Sequence, residues 1–303
     1  MRRAALIYNP TAGRRRHAQV LDAILAILRR GGFAVEPAPT SRAGEATLLA
    51  RGLAASGCEA VFSFGGDGTA REVAAGLLGS PAALGFLPGG TANVLALGFG
   101  LPRDPLRAAA ALCAAPVRDF DVGSAEGAGG SAPFLMMVSA GLDAAVLAAL
   151  DLRLKHRFGK GAFLWQGLRE WWRYGYPDLE IVADGHSHTA TFAAAANIPY
   201  YAGSFQLAPG ARPDDRRLEL VLFRGRGRRA AMGFALDLVR GTHVRRRDVA
   251  VLRVEEVVFT APAGAAAQVD GDLCAERLPL TVRLAPERLK VLFPRLPRYD
   301  RSD

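Results

Sequence analysis

The stretch Phe62-Ser63-Phe64-Gly65-Gly66-Asp67-Gly68-Thr69 constrains this chain more than any other. An apolar strand runs straight into a glycine-rich turn around one aspartate, and a helix-period segment follows at once. That order fits an open α/β sheet, where ligands bind at the carboxyl ends of the strands. Gly65, Gly66 and Gly68 let the backbone approach phosphate oxygens, and the next helix N-terminus adds N–H groups and a positive dipole. The spacing is neither G-x-G-x-x-G nor G-x-x-x-x-G-K-[ST], so those two nucleotide signatures are rejected. A second turn, Leu87-Pro88-Gly89-Gly90-Thr91-Ala92-Asn93, follows the next strand and again opens a helix. Thr91 is suited either to cap that helix or to bond a phosphate, and Asn93 to satisfy the loop backbone.

The rest of the first 120 residues repeats this alternation. Strands are expected at about 4–8, 33–37, 60–64 and 84–87, with helices at about 17–30, 44–56 and 69–78. Short strands separated by helices predict a mostly parallel, covered sheet. Beyond about residue 122 the pattern changes to stretches at 134–139, 179–183, 189–195, 218–223 and 249–260, read as an antiparallel unit. One helical insertion is expected at about 160–174. The expected organisation is an α/β nucleotide domain over 1–122 and a β-rich domain over 123–286, with a deep cleft between them. The final segment, about 287–303, is allowed to return to the first domain.

Formal charge is +9, from 38 basic and 29 acidic residues. Such a balance attracts polyanions, but the basic clusters at 14–16, 224–229 and 245–247 lack the interleaved aromatics of a nucleic-acid stacking surface. Cys58, Cys113 and Cys274 match no zinc spacing and suit a reducing cytoplasm. The apolar stretch after Met1-Arg2-Arg3 is too short for a secretion signal. Residues 73–102 carry no charge, yet Pro81, Pro88 and Gly89-Gly90 break any spanning helix, so no transmembrane segment is expected.

At this point the sequence resembles the diacylglycerol kinase and sphingosine kinase catalytic family, especially its small bacterial lipid kinases. The resemblance begins at Asn9-Pro10-Thr11-Ala12-Gly13 and runs through the two glycine turns. It continues at Ala208-Pro209-Gly210-Ala211-Arg212-Pro213-Asp214-Asp215 and ends with Val269-Asp270-Gly271-Asp272. The first glycine turn is shared with NAD kinases and phosphofructokinases; all five pieces in order are far more specific. The resemblance implies an NAD-kinase-like nucleotide domain followed by a β-sandwich. ATP would touch Asn9, Thr40, Gly65, Gly66, Asp67, Gly68, Thr69, Ala70, Arg71 and Thr91. Asp270 matches the family's proton acceptor from the lipid hydroxyl. Asp67 and Asp270 each sit beside glycine in a motif expected to face the cleft, so both are candidate bases; Asp270 is taken as the base, with Asp67 organising phosphate or metal-bound water. Asp215, with the carbonyls of Arg212 and Arg217, matches a structural Mg2+ site.

Physical chemistry supports those roles in part. Phosphoryl transfer has a loose transition state, so a weak base suffices and positioning dominates. On its own, Asp270-Gly271 reads as a hairpin turn. This chain departs from the family pattern at Arg71, where many members have Asn, and at Val94, where many have Asp. Asp272 stands in place of the commoner Glu, and Arg216 in place of Gly.

Residues 155–176 mix tryptophans and tyrosines with Lys and Arg, a composition that fits either a bilayer interface or core packing. His186 and His188 follow Asp184-Gly185, which is expected to be a hairpin turn, and His17, His156 and His243 are expected on the solvated surface. The reading is ATP-dependent phosphorylation of a diacylglycerol-, sphingoid- or phosphatidylglycerol-like hydroxyl, by a cytoplasmic protein bound peripherally to an anionic membrane. Oligomeric state is left open, a homodimer included. The rivals are a soluble NAD kinase and a lipid- or nucleotide-binding regulator without catalysis.

Overall fold

The computed structural model describes residues 1–10, 16–149, 167 and 169–294. They form two compact units, one of 1–122, 200–204 and the segment from 285 onward, the other of 123–199 and 205–284.

The first unit is a parallel sheet with helices. Its strands are β1 (Arg2–Tyr8), β2 (Phe33–Pro39), β3 (Ala60–Gly65) and β4 (Ala83–Pro88). Its helices are α1 (Arg16–Arg30), α2 (Glu45–Ala55), α3 (Asp67–Leu77), α4 (Val94–Gly98) and α5 (Pro105–Cys113). The strand order is β2-β1-β3-β4, with every neighbour parallel. The central strands are buried on both faces: every residue of β3 and β4 is buried, which is why they read as continuous apolar runs. α5 starts cleanly because Asp104 accepts from the Arg107 N–H and Pro105 occupies the first helical position.

Strand β5 (Val117–Gly127) carries the chain out of this unit, and β6 (Gly130–Phe134) turns back on it. The second unit continues with β7 (Met137–Ala140), α6 (Leu142–Ala149), β8 (Leu179–Ala183), β9 (His186–Ala190) and β10 (Phe192–Ala196). After β11 (Tyr200–Tyr201) and β12 (Phe205–Gln206) come β13 (Leu218–Phe223) and α7 (Gly227–Arg240). The chain ends through β14 (Val249–Val254), β15 (Glu256–Ala261), β16 (Ala266–Val269), β17 (Asp272–Arg277) and β18 (Leu280–Leu292).

One antiparallel layer of this unit has the order β14-β13-β10-β7-β16-β17; in the other, β15 lies between β8 and the start of β18. Val138, Ala193, Leu220 and Leu222 of the first layer share a core with Ile181, Val257, Phe259 and Val282 of the second. That is a β-sandwich. The last part of β18 pairs with β4 in parallel, Val291 opposite Leu84, within the first unit.

The sequence reading errs on three strands of the sandwich, all for one reason. Each of the stretches 134–139, 189–195 and 249–260 is two strands, not one, and each break is a corner where the chain changes layer. The corners leave the ladder for one or two residues, and their backbone N–H groups find acceptors elsewhere. The Asp184 carboxylate accepts from Glu255 and Glu256. Thr191 donates its N–H to the Phe223 carbonyl. Hydrophobic alternation carries no mark of such a corner. The turn expected at Asp184-Gly185 is there, and both histidines that follow it belong to β9. His243 is the opposite of its expected surface position: it is fully buried, edge-on to Phe234. His156, the side chain of His17 and most of the 160–174 insertion lie outside the described residues. No helix among the described residues is long and apolar enough to cross a membrane.

Candidate active site

Because β1 to β4 are parallel, their carboxyl ends share one edge, and the residues singled out in the first unit gather there. Asn9 follows β1, Thr40 follows β2, Gly65-Gly66 end β3 and Gly89-Gly90-Thr91 follow β4. Thr40 is buried and tied to the end of β1, its N–H donating to the Tyr8 carbonyl at 2.8 Å. Thr11 to Gly13 of the first motif lie outside the described residues.

The two glycine turns touch. The Gly89 N–H donates to the Gly65 carbonyl at 2.7 Å, continuing the β3–β4 register past its last pair, Gly65 opposite Pro88. A Cβ on Gly90 would lie 2.6 Å from the Gly66 Cα, so a side chain there would force the turns apart. Asn93 folds back on its own loop, accepting from the Gly90 N–H and donating to the Gly90 carbonyl, both at 2.9 Å. This is the loop-satisfying role expected of it, and it holds Asn93 at a φ of +49°.

Helix α3 begins two residues earlier than its periodicity suggested, at Asp67, so Gly68, Thr69 and Ala70 lie in its first turn. No side chain caps it. The Ala70 N–H donates to the Gly66 carbonyl at 3.2 Å, and the N–H groups before it lie ahead of the first helical acceptor. This is the physical basis of an anion site. Asp67 itself faces the other way along the loops. Its carboxylate accepts from the N–H groups of Val94 and Leu95 at 3.1 and 3.0 Å, capping α4. Burial pushes its pKa up, and those hydrogen bonds to Leu95 and Val94 pull the other way. Thr91, one of whose expected roles was capping, stands exposed while Asp67 does the capping. Arg71 is half-buried on the next turn of α3.

In the second unit, Asp270-Gly271 is the β16–β17 hairpin turn, both residues at positive φ, with Val269 opposite Asp272. The turn does more than reverse the chain. The Asp270 carboxylate is buried and accepts from Leu135 and Met136 at 2.8 Å and Met137 at 3.0 Å, filling the corner between β6 and β7. Sequence reasoning missed the polar chain beside it. The Gly271 N–H donates to Gln268 Oε1, Gln268 Nε2 donates to Ser139 Oγ, and Ser139 Oγ donates to Asp143 Oδ2 at 2.5 Å. Ser139 and Asp143 stand four apart across the entry to α6, a spacing with no signature of its own.

The expected magnesium loop does not fit a divalent cation. Asp215 Oδ1 accepts from the Arg217 N–H at 3.1 Å, and Oδ2 is paired with the Arg253 guanidinium at 2.5 Å. Burial raises its pKa, with the Arg217 hydrogen bond and the Arg253 charge opposing. Arg212 is ion-paired to Asp214 and Arg217 to Glu255. Arg216 takes the left-handed backbone, φ +59°, that glycine adopts most readily. Among the described residues no group of three His, Cys, Asp or Glu side chains converges as a metal ligand set.

Comparison with known proteins gives this arrangement its family. Residues 3–125 match the model of the diacylglycerol kinase catalytic domain, and residues 136–293 that of the YegS C-terminal NAD kinase beta sandwich-like domain. A probable lipid kinase YegS-like of Chromohalobacter salexigens is 31% identical over 82% of this chain and 80% of its own length. A diacylglycerol kinase of Bacillus subtilis is 26% identical over 90% of each. The crystal structure of a putative diacylglycerol kinase from Bacillus anthracis superposes with a TM-score of 0.80 at 22% identity, covering 96% of this chain and 95% of that one. With one family model matching more than half its length and a relative above 30% identity, the chain belongs to the bacterial diacylglycerol kinase and YegS-like lipid kinase family and is a kinase.

Proposed function

We propose that the protein transfers the γ-phosphoryl group of ATP to a hydroxyl of a diacylglycerol-, sphingoid- or phosphatidylglycerol-like lipid, acting peripherally at an anionic membrane surface. The observation that carries this reading is the contact of the two glycine turns, where Gly90 leaves no room for a Cβ against Gly66, beside an uncapped α3 N-terminus. Donors fixed before substrate arrives stabilise phosphoryl charge without reorganising, and positioning with charge neutralisation is most of what phosphoryl transfer requires. ATP is assigned to residues 1–122 and the lipid to 123–286. Asn9, Thr40, the 65–71 turn and Thr91 form the nucleotide set. Asp67 acts as a positioning residue: with its oxygens on Val94 and Leu95 it fixes the spacing of the turns.

Asp270 is assigned as the group that orients the acceptor hydroxyl and takes its proton late. Three N–H donors hold its carboxylate in place, and a loose transition state asks of it positioning more than base strength. No step is routed through a metal at Asp215. The two relatives are named for diacylglycerol and for lipid in general, so the acceptor is given as a class.

Labelled ATP incubated with vesicles of single lipid classes, with NAD in parallel, tests the proposal. Label is expected in a lipid acceptor. Label in NAD and in no lipid overturns it in favour of an NAD kinase; bound ATP with no transfer to any acceptor points to a regulator.

A further inference from the structure

Helix α7 carries apolar side chains on two faces. The inner face is ordinary: Phe234 stacks on Phe223 at 4.5 Å between ring centroids, and Leu238 is buried beside it. The outer face is not. Met232, Leu236 and Val239, at i, i+4 and i+7, are 43%, 48% and 62% exposed. Trp172, 63% exposed, extends this patch, with the Arg228 guanidinium 4.2 Å above its ring. A groove of about 690 Å³ runs between Trp172, Arg229 and Met232. A single exposed aliphatic residue needs no explanation, but a helical stripe joined to a tryptophan marks a surface that something covers.

Charge selects the covering. Arg224, Arg226, Arg228 and Arg229 are exposed at the start of the helix and Arg240 at its end. The one acid on α7, Asp237, is held by Arg246 at 2.7 Å, and Arg226 takes Asp178. An apolar stripe with arginines at both ends and an indole at its margin matches the bilayer interface. There aliphatic tips enter the acyl boundary and guanidinium groups stay among the phosphates. We infer that the outer face of α7, with Trp172, is the surface by which the protein docks on an anionic lipid bilayer. This rests on the proposed lipid acceptor only for its biological sense; the binding is measurable alone.

The full chain, without ATP, is tested against vesicles of phosphatidylcholine and of equimolar phosphatidylcholine and phosphatidylglycerol. Partitioning onto the second, weakened by salt, is expected. Replacing the stripe together (Met232→Ser, Leu236→Ser, Val239→Ser) should lower it about tenfold or more. Arg228→Glu with Arg229→Glu should lower it at least about tenfold and flatten the salt dependence. All five side chains are exposed, so thermal unfolding should be unchanged. Transfer to a dispersed short-chain lipid of the class labelled in the vesicle assay should also be unchanged; absence of transfer to every lipid class in the unaltered protein would defeat the catalytic reading and leave the docking result readable. Three results overturn the inference: no binding of the unaltered chain to phosphatidylglycerol vesicles, equal binding by the serine variant, or a dimer that the serine changes dissociate without loss of vesicle binding. The last assigns the face to a second copy of the chain.

Discussion

Asp67 in the first unit and Asp270 in the second both spend their carboxylates on backbone N–H groups at a gap in the regular structure, but across different lengths of chain. Asp67 reaches Val94 and Leu95, the first residues of α4 just past the loop after the neighbouring strand. Asp270 reaches Leu135, Met136 and Met137, more than 130 residues away, at a corner where the chain changes layer. The first contact joins two turns that adjacent parallel strands already bring together. The second exists only once the sandwich has closed. Loss of Asp67 should therefore disturb a site, and loss of Asp270 a whole unit.

Asp270→Ala gives the largest effect. The Leu135, Met136 and Met137 positions are at most 4% exposed, so water cannot replace the carboxylate. Leaving these donors unsatisfied should cost about 4 kcal/mol in denaturant unfolding, at about 1–3 kcal/mol per group. Asp270→Asn should recover part of this while activity stays lost; full activity in the Asn variant would remove Asp270 from the chemistry. Gly90→Ala comes next. Its Cβ would press on Gly66, costing about 1–3 kcal/mol by overpacking. It should also cost about 100-fold in kcat/KM through displaced phosphate donors. Asp67→Ala should cost about 1–2 kcal/mol, as for a lost helix cap, because Asp67 itself is only half-buried and water can enter in its place. If Asp67→Ala proved as damaging as Asp270→Ala, the contrast between local and closing contacts would fail.

What could be read from the sequence follows the same division. The glycine turns announce themselves because their requirement is local: Gly65, Gly66 and Gly90 sit where strand, turn and helix follow one another without interruption. Asn93 was legible for the same reason, since it bonds its own loop. The destination of the Asp67 carboxylate was not, and the expected capping by Thr91 was displaced by it. In the sandwich, strand positions were found but the corners were not, because a residue such as Thr191 or Glu255 is made a corner by acceptors far away in sequence. The β16–β17 turn was legible as Asp-Gly chemistry, whereas the chain from Gln268 through Ser139 to Asp143 joins elements that only folding brings together.

His243 offers a smaller, pH-dependent contrast inside the second unit. Its Nε2 lies 2.8 Å from the Leu207 carbonyl, and Nδ1 is buried without a partner. Those positions assign the neutral ring with its proton on Nε2. Burial pushes its pKa below the usual 6.5, the Leu207 bond opposing. Below 6.5 the unfolded chain takes up a proton that the folded ring refuses, so stability should fall as pH drops from about 6.5 toward the folded value. His243→Leu loses the Leu207 bond, so it should start less stable at pH 8 but show a flatter decline in thermal midpoint between about pH 7 and 5. An unchanged slope would show that other groups set the acid limit.

The smallest effect is the loop at Asp215, where the Arg253 guanidinium pairs with the carboxylate that the family resemblance gives to magnesium. An exposed arginine can balance a half-buried carboxylate, and its replacement should cost no more than about 1 kcal/mol, as surface ion pairs do. Chelation should leave the thermal midpoint of the unaltered protein where it was, since nothing that binds only the folded state is removed. Arg253→Met makes the argument decisive: with the guanidinium gone, Asp215 regains an oxygen, and added Mg2+ should raise the midpoint of this variant alone. A Mg2+-dependent rise in the unaltered protein would mean that the ion displaces Arg253, and the loop would then be a metal site after all.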